Sequence, residues 1–334
     1  MIDAYWLPVI FAGLMGLAIL VYSILDGYDL GVGILLPIGA DDEANRDTMI
    51  ASVGPFWDAN ETWLVLGIGL MLIAFPQAYS IVLYNLYIPI AIMLIGLILR
   101  GVAFDFRVKA AVVHKLLWDR AFKYGSLMTT LSQGYMLGLY VMGFDKSMPS
   151  QLFCLLSALG VTAAYSYIGG AWLVMKTEKD LQQRAIRWTR NSGRLGFIGV
   201  IAVSIVNPLV NPGVFDRWFN YPLVMFVLLV PTLCYLAFIA NDFLLKQLPK
   251  QNDQYCWLPF ILVIFIFLCC FTGLVFSFYP DVVPGRLDIW QAASAPASLR
   301  FILVGALIVV PVILFYTIYA YRVFRGKATD LSYH

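Results

Sequence analysis

Histidine is almost missing from this chain. Of 334 residues only His114 and His334 are histidine, and both lie outside the apolar runs. A b-type haem, copper or zinc site draws its ligands largely from imidazoles on facing elements. A bis-histidine site inside the chain is therefore excluded, and a redox metal on this chain is not expected. Charge is scarce too. Asp, Glu, Lys and Arg make up 13% of the residues, against about 25% in a soluble domain. Hydrophobic residues make up 61%, more apolar surface than a soluble fold of this length can hide. The chain is read as an integral membrane protein. The five cysteines, Cys154, Cys234, Cys256, Cys269 and Cys270, form no C-x-x-C pattern and read as small buried hydrophobes. No glycine-rich phosphate loop, nucleophile elbow or nucleic-acid signature is present. Met1-Ile2-Asp3 lacks the basic start of a cleavable leader, so the first apolar run is expected to remain as a helix.

What is present is long apolar runs. A bilayer core takes about 20 apolar residues per helix. Nine runs qualify, at 6–36, 50–75, 79–104, 122–143, 150–176, 194–212, 220–244, 256–279 and 299–324. The expected fold is an all-α membrane protein of about nine transmembrane helices, residues 1–334 forming one polytopic domain with short loops. The first run is longer than one span needs. Gly27, Gly31 and Gly33 either break it or let it pack closely. Asn207-Pro208 and Asn211-Pro212 make the end of the sixth run the least regular.

Basic residues orient the helices. With the N-terminus outside, the inner connections carry Arg46; the residues from Arg100 to Lys123; those from Lys176 to Arg194; Lys246 and Lys250; and Arg322, Arg325 and Lys327. That is eighteen of the twenty-two Lys and Arg, leaving Lys146, Arg217, Arg286 and Arg300 outside. So uneven a split supports both the helix count and the polarity.

Against this apolar background, acids stand out. Asp26 and Asp29 lie on the first run, and Asp58 and Glu61 on the second. Each pair is spaced by three and so shares a helix face. Both pairs fall in the inner half, roughly 12–18 Å from the inner end at a helical rise of ~1.5 Å per residue. A charged side chain at the bilayer centre costs ~2.5–3.5 kcal/mol on insertion scales. Four carboxyls at one depth are candidates for a proton pathway, Asp58 and Glu61 foremost. The alternative is structural: the acids cap a helix or pair with Arg100 across the bundle. Asn60 and Trp63 share another face of the second helix, where packing is the simpler role for the tryptophan. Arg100, Asp105, Arg107 and Lys109 read as an inner-surface anchor, their stems lying along apolar surface.

These same residues carry a family resemblance. Asp26-Gly27-x-Asp29-x-Gly31-x-Gly33 and Trp57-Asp58-x-Asn60-x-x-Trp63 are its specific motifs. Phe104-Asp105-x-Arg107-x-Lys109, Trp118-Asp119, Gly169-Gly170-Ala171 leading to Met175-Lys176-Thr177, and Pro311 to Thr317 support it. Together they resemble subunit II of the cytochrome bd-type quinol oxidases over essentially the whole chain. The compact length and short final loops look like the cyanide-insensitive branch.

The resemblance implies a bacterial inner-membrane subunit with a periplasmic N-terminus and a cytoplasmic C-terminus. It implies two four-helix bundles plus one peripheral helix, and no haem on this chain. The partner is cytochrome bd subunit I, which carries haem b and haem d, or haem b alone. Quinol and oxygen are the substrates of the complex, and lipid surrounds it. Some members hold a structural quinone, and a single-helix accessory subunit is a further expected partner. The carboxylate matching Asp58 belongs to a cytoplasmic proton path, and the tryptophan matching Trp63 lies near an oxygen route. Glu61 departs from relatives that carry an uncharged amide there. The competing class is a proton- or ion-coupled secondary transporter, against which the chain shows no paired broken segments in two halves.

Overall fold

A computed structural model describes residues 3–39, 42–109, 112–219, 224–249 and 253–328. Lys250 and His334 lie outside these, as does the side chain of Lys109. In chain order the helices are α1 (Trp6–Leu35), α2 (Glu43–Val53), α3 (Trp57–Ala74), α4 (Pro76–Lys109), α5 (Val112–Val141), α6 (Met148–Lys176) and α7 (Lys179–Val210). They continue with α8 (Pro212–Phe219), α9 (Val224–Val227), α10 (Leu229–Lys246) and α11 (Leu258–Phe278). A two-strand hairpin, β1 (Asp281–Val283) and β2 (Leu287–Asp288), leads through α12 (Ile289–Ala292) to α13 (Pro296–Val323). The fold is all-α apart from that hairpin.

Seven helices, α1, α4, α6, α7, α10, α11 and α13, are long and apolar enough to cross a bilayer. Helices α3 and α5 correspond to two further expected spans and carry more polar residues. In α5 those residues point inward: Ser126, Thr129, Thr130 and Ser132 are buried, where neighbouring helices rather than lipid surround them.

Two expected connections are helical. The basic stretch from Lys176 to Arg194 forms the first half of α7, a 32-residue helix. Its period explains why. Leu181, Gln182, Ala185, Ile186 and Thr189 are buried at the spacing of one helix face, while Arg187 on the opposite side is exposed. The stretch after Arg100 likewise continues α4 as far as Lys109 and resumes in α5. Pro208 and Pro212 fall at the end of α7 and the start of α8, where proline most readily bounds a helix.

Helix α1 lies against α3, α5 and α6 and runs unbroken through its glycines. Their role is packing. A Cβ on Gly31 would sit 1.8 Å from the Tyr165 carbonyl oxygen, and one on Gly169 would sit 2.5 Å from the Gly31 backbone. Helices α1 and α6 thus meet backbone to backbone, the approach that small residues allow in membranes. The crossing places Asp26 and Asp29 in the interior.

Where α1 ends and α4 gives way to α5, a network of ion pairs holds α2 in place. Asp119 of α5 accepts from Arg46 Nε at 2.7 Å and from Arg107 Nε, while Arg107 Nη2 reaches Asp47 at 2.6 Å. Lys123 Nζ donates to the carbonyls of Ile34 and Leu36, which closes the C-terminal end of α1. Arg184 of α7 grips Asp42 with two bonds of 2.7 and 2.9 Å. Those bonds, with one from Asn45, hold the Asp42 carboxyl down at about 2. A lowered folded-state value stabilises at pH above the ordinary carboxylate range, and the gain disappears as pH falls from about 4 to about 2. Asp42→Asn should therefore cost about 0.5–1 kcal/mol near neutral pH. Thermal unfolding of wild type and variant in detergent, compared between pH 6 and 2, should show the difference closing towards pH 2.

Candidate functional site

Four expected residues and one reassigned residue meet at the inner half of the α1–α3–α4 junction. The reassigned residue is Arg100. Expected as an inner-surface anchor, with pairing to the acids across the bundle as the alternative, its side chain is only 1% exposed and lies among the acids. Its Nη1 donates to Asp26 Oδ1 at 2.7 Å and to Glu61 Oε1 at 3.1 Å, while Nη2 lies 3.8 Å from Asp29 Oδ2. Asp26 and Asp29 are fully buried. One turn apart on α1, they present both carboxyls to the same guanidinium. The physical reason for the reassignment is charge: a buried carboxylate needs a partner, and Arg100 is the base that α4 brings to that depth. The sequence signal was its position directly after the apolar run Leu97-Ile98-Leu99.

Asn60 lies in this cluster as well. Its Nδ2 donates to Asp29 Oδ2 at 2.7 Å, to Tyr28 Oη at 3.0 Å and to the Leu25 carbonyl at 3.3 Å. Around the cluster run further polar contacts that sequence reasoning did not single out. Tyr28 and Tyr321 hydroxyls are 2.5 Å apart, Gln133 donates to Tyr22 Oη at 2.6 Å, and Tyr165 donates to Gln133 Oε1 at 2.9 Å. Tyrosines spread over four helices have no local signature, so only tertiary packing could bring them together.

Several cluster atoms have no hydrogen-bond partner among the described residues: Asp26 Oδ2, Asp29 Oδ1, and Arg100 Nε and Nη2. Three carboxyls share one guanidinium. Full ionisation would leave two uncompensated negative charges in a low-dielectric site, a cost that each proton held among the carboxyls lowers. Trp57 covers one side, its ring 6.0 Å from the Arg100 guanidinium and 5.2 Å from the Phe104 ring. Glu61, with 29% of its side chain exposed, is the member that reaches the surface. One turn earlier on α3, Asp58 is exposed. The two acids of α3 are thus divided: Glu61 joins the buried cluster, and Asp58 stands outside it on the open face of the helix.

Trp63 is fully buried and packs with Ala18, Tyr22, Ile313 and Leu314. Past Leu66, α3 and α13 part to leave an apolar groove of about 570 Å³, lined by Val65, Gly69 and Ile73 on one side and Phe301, Gly305 and Val309 on the other. Of the remaining expected anchors, Arg107 is buried in the network with Asp119, and Asp105 is exposed. Among the described residues no group of three or more His, Cys, Asp or Glu is placed to hold a metal ion. His114 is exposed near the start of α5, a poor position for an axial haem ligand.

Comparison with known proteins defines the class first by fold. The chain superposes with TM-score 0.79 on a chain from "The structure of bd oxidase from Geobacillus thermodenitrificans", covering 96% of this chain and 98% of that one at 18% identity. By sequence it is 27% identical over 329 residues to cytochrome bd ubiquinol oxidase subunit 2 of Bacillus subtilis, covering 92% of this chain and 93% of the relative. It is 26% identical over 374 residues to cytochrome bd-I ubiquinol oxidase subunit 2 of Escherichia coli, covering 98% and 97%. The family profile "Cytochrome bd terminal oxidase subunit II" matches residues 7–324. The chain belongs to that family.

Removing the central cation should be costly. Arg100→Met would strand three carboxyls in the interior, a loss of about 3–5 kcal/mol. Thermal stability of the detergent-solubilised protein should drop sharply for this variant and hardly at all for Asp58→Asn, whose carboxyl is exposed.

Proposed function

We propose that this chain is the haem-free subunit of a bd-type terminal quinol oxidase of the bacterial inner membrane and that its buried carboxyls serve proton delivery. The nine long helices α1, α3, α4, α5, α6, α7, α10, α11 and α13 are assigned as spans, in two four-helix bundles plus one peripheral helix. The N-terminus is periplasmic and the C-terminus cytoplasmic. The partner is a haem-bearing subunit I. Haem b, with or without haem d, supplies the oxygen chemistry there. This chain stabilises the partner and handles protons.

The single observation that carries the reading is the division of the acids. Asp26, Asp29 and Glu61 surround Arg100 in the interior, and Glu61 opens towards Asp58 on the outer face of α3. Quinol oxidation releases protons, and the reduction of oxygen to water consumes protons taken from the cytoplasm. In the proposed path the cluster holds a proton among its carboxyls. Glu61 moves between Arg100 and Asp58, and Asp58 passes the proton across the face of α3 to subunit I. Arg100 keeps the cluster from trapping the proton, because its charge favours the carboxylate state after release.

In the purified complex, Asp58→Asn and Glu61→Gln should each slow quinol-oxidase turnover by about tenfold or more, the scale of losing a positioned acid–base group, with haem content unchanged. Loss of haem together with turnover would make these acids structural and end the relay reading. The groove between α3 and α13 supports the second proposed role, an apolar approach for oxygen that ends at Trp63. Trp63→Ala should raise or lower the Michaelis constant for oxygen by a factor of a few, and an unchanged constant would argue against that role.

A further inference from the structure

The direction of the hydrogen bonds around Asn60 contains information that its distances alone do not. Asn60 Nδ2 donates to Tyr28 Oη at 3.0 Å, and Tyr321 Oη donates to Asn60 Oδ1 at 3.3 Å. The two phenol oxygens are 2.5 Å apart, and either one can donate. A phenol has one hydrogen. Since that of Tyr321 is committed to Asn60, Tyr28 must donate to Tyr321. The three residues therefore form a closed ring with a single sense: amide to Tyr28, Tyr28 to Tyr321, Tyr321 back to the amide oxygen. The ring joins α1, α3 and α13.

Both phenols are held by their rings. Tyr28 stacks on Trp172 at 4.1 Å, and Tyr321 stacks on Phe56 at 4.6 Å. Only the hydrogens and the amide are free to reorient. With Tyr321 donating to Oδ1, the amide must turn its NH₂ group towards α1, where it meets Asp29 Oδ2 at 2.7 Å and the Leu25 carbonyl at 3.3 Å. The reverse sense would turn Oδ1 towards Asp29, an arrangement that requires a proton on the Asp29 carboxyl. The ring thus has two senses, one matched to each protonation state of Asp29.

We infer that Tyr321, on the last long helix and without contact to Asp29 itself, is a positioning residue that fixes the sense of the Asn60 amide and thereby favours the ionised form of Asp29. This inference rests on the proton-delivery reading for its role in turnover and on geometry alone for its effect on Asp29. The other groups facing Asp29 are Arg100 from α4, Asp26 from α1 and Glu61 from α3. Tyr28, also on α1, is a phenol close to it, both groups accepting from Asn60 Nδ2. Asn60 is the neutral donor in this set, and it is the one whose direction a remote side chain controls.

The test is Tyr321→Phe in the full oxidase complex. Phenylalanine keeps the stack on Phe56 and removes only the hydroxyl, so a purely packing role predicts no change. Titration of the carboxylic C=O band by infrared difference spectroscopy, assigned to Asp29 with Asp29→Asn, reads the effect directly. In Tyr321→Phe, Asp29 should keep its proton to a pH about one unit higher, the scale of one charge-assisted hydrogen bond. Tyr28→Phe, which leaves the Tyr321 bond to Asn60 Oδ1 in place, should move the band less than Tyr321→Phe does. An unshifted band in folded Tyr321→Phe overturns the inference. If that variant fails to assemble, 4-fluorophenylalanine at position 321, close to tyrosine in size but with no hydrogen to donate, replaces it, and an unshifted band there overturns the inference instead. The pH profile of quinol-oxidase turnover separates the two readings. A profile that moves with the band supports both. A band that shifts while the profile stays fixed keeps the ring and removes Asp29 from the proton path.

Discussion

One guanidinium among three carboxyls is the interaction on which the inner half of this protein depends. Arg100 brings α4 against α1 and α3 by bonding to Asp26 and Glu61 and lying close to Asp29. A buried pair of this kind adds little net stability compared with well-packed apolar residues, yet breaking it is severe because the remaining charges stay buried. The arrangement is therefore better explained by what it does than by what it stabilises. In the proposed path, three acids sharing one cation are the groups that take up and release the proton.

Packing enforces that arrangement. Backbone contact between Gly31 and Gly169 brings α1 so close to α6 that the acid-bearing face of α1 turns towards α3 and α4. The ion pairs around Asp119, and the closure of α1 by Lys123, hold the same end of the bundle. On the far side of α3, α13 follows the opposite pattern. It meets α1 and α3 near its C-terminal end through Tyr321 and parts from α3 towards its N-terminal end, leaving the apolar groove between Val65 and Phe301. One helix pair thus combines a polar contact at proton depth with an apolar opening towards the bilayer.

Much of the fold was legible from hydropathy and charge, because lipid imposes long apolar runs and basic residues mark the inner ends. The runs at 6–36 and 150–176 fall within about two residues of α1 and α6. The basic stretch at Lys176 to Arg194 misled because positive charge marks the inner side without saying whether the backbone there is helical; its buried face at Leu181, Ala185 and Ile186 carried the helix signal. For the site, the carboxyls were visible because charge inside an apolar run is rare. Their arrangement was not. The spacing of three put Asp58 and Glu61 on a shared face, yet the rotation of α3 buries part of Glu61 and exposes Asp58. The spacing likewise hid Asn60, which lies at the seam with α1 and bonds to Asp29. Tyr321 sits far along the sequence from Tyr28, and nothing local marks it as a partner.

The most direct measurement is time-resolved proton uptake on the inner side of the complex reconstituted in vesicles, started by admitting oxygen, in wild type and in Glu61→Gln. Glu61 is the proposed link between the buried cluster and the surface. Proton uptake that slows in step with oxygen reduction, with haem content and assembly intact, is the predicted result. Uptake and reduction at the wild-type rate would contradict the account and leave the Arg100 cluster as a structural clamp.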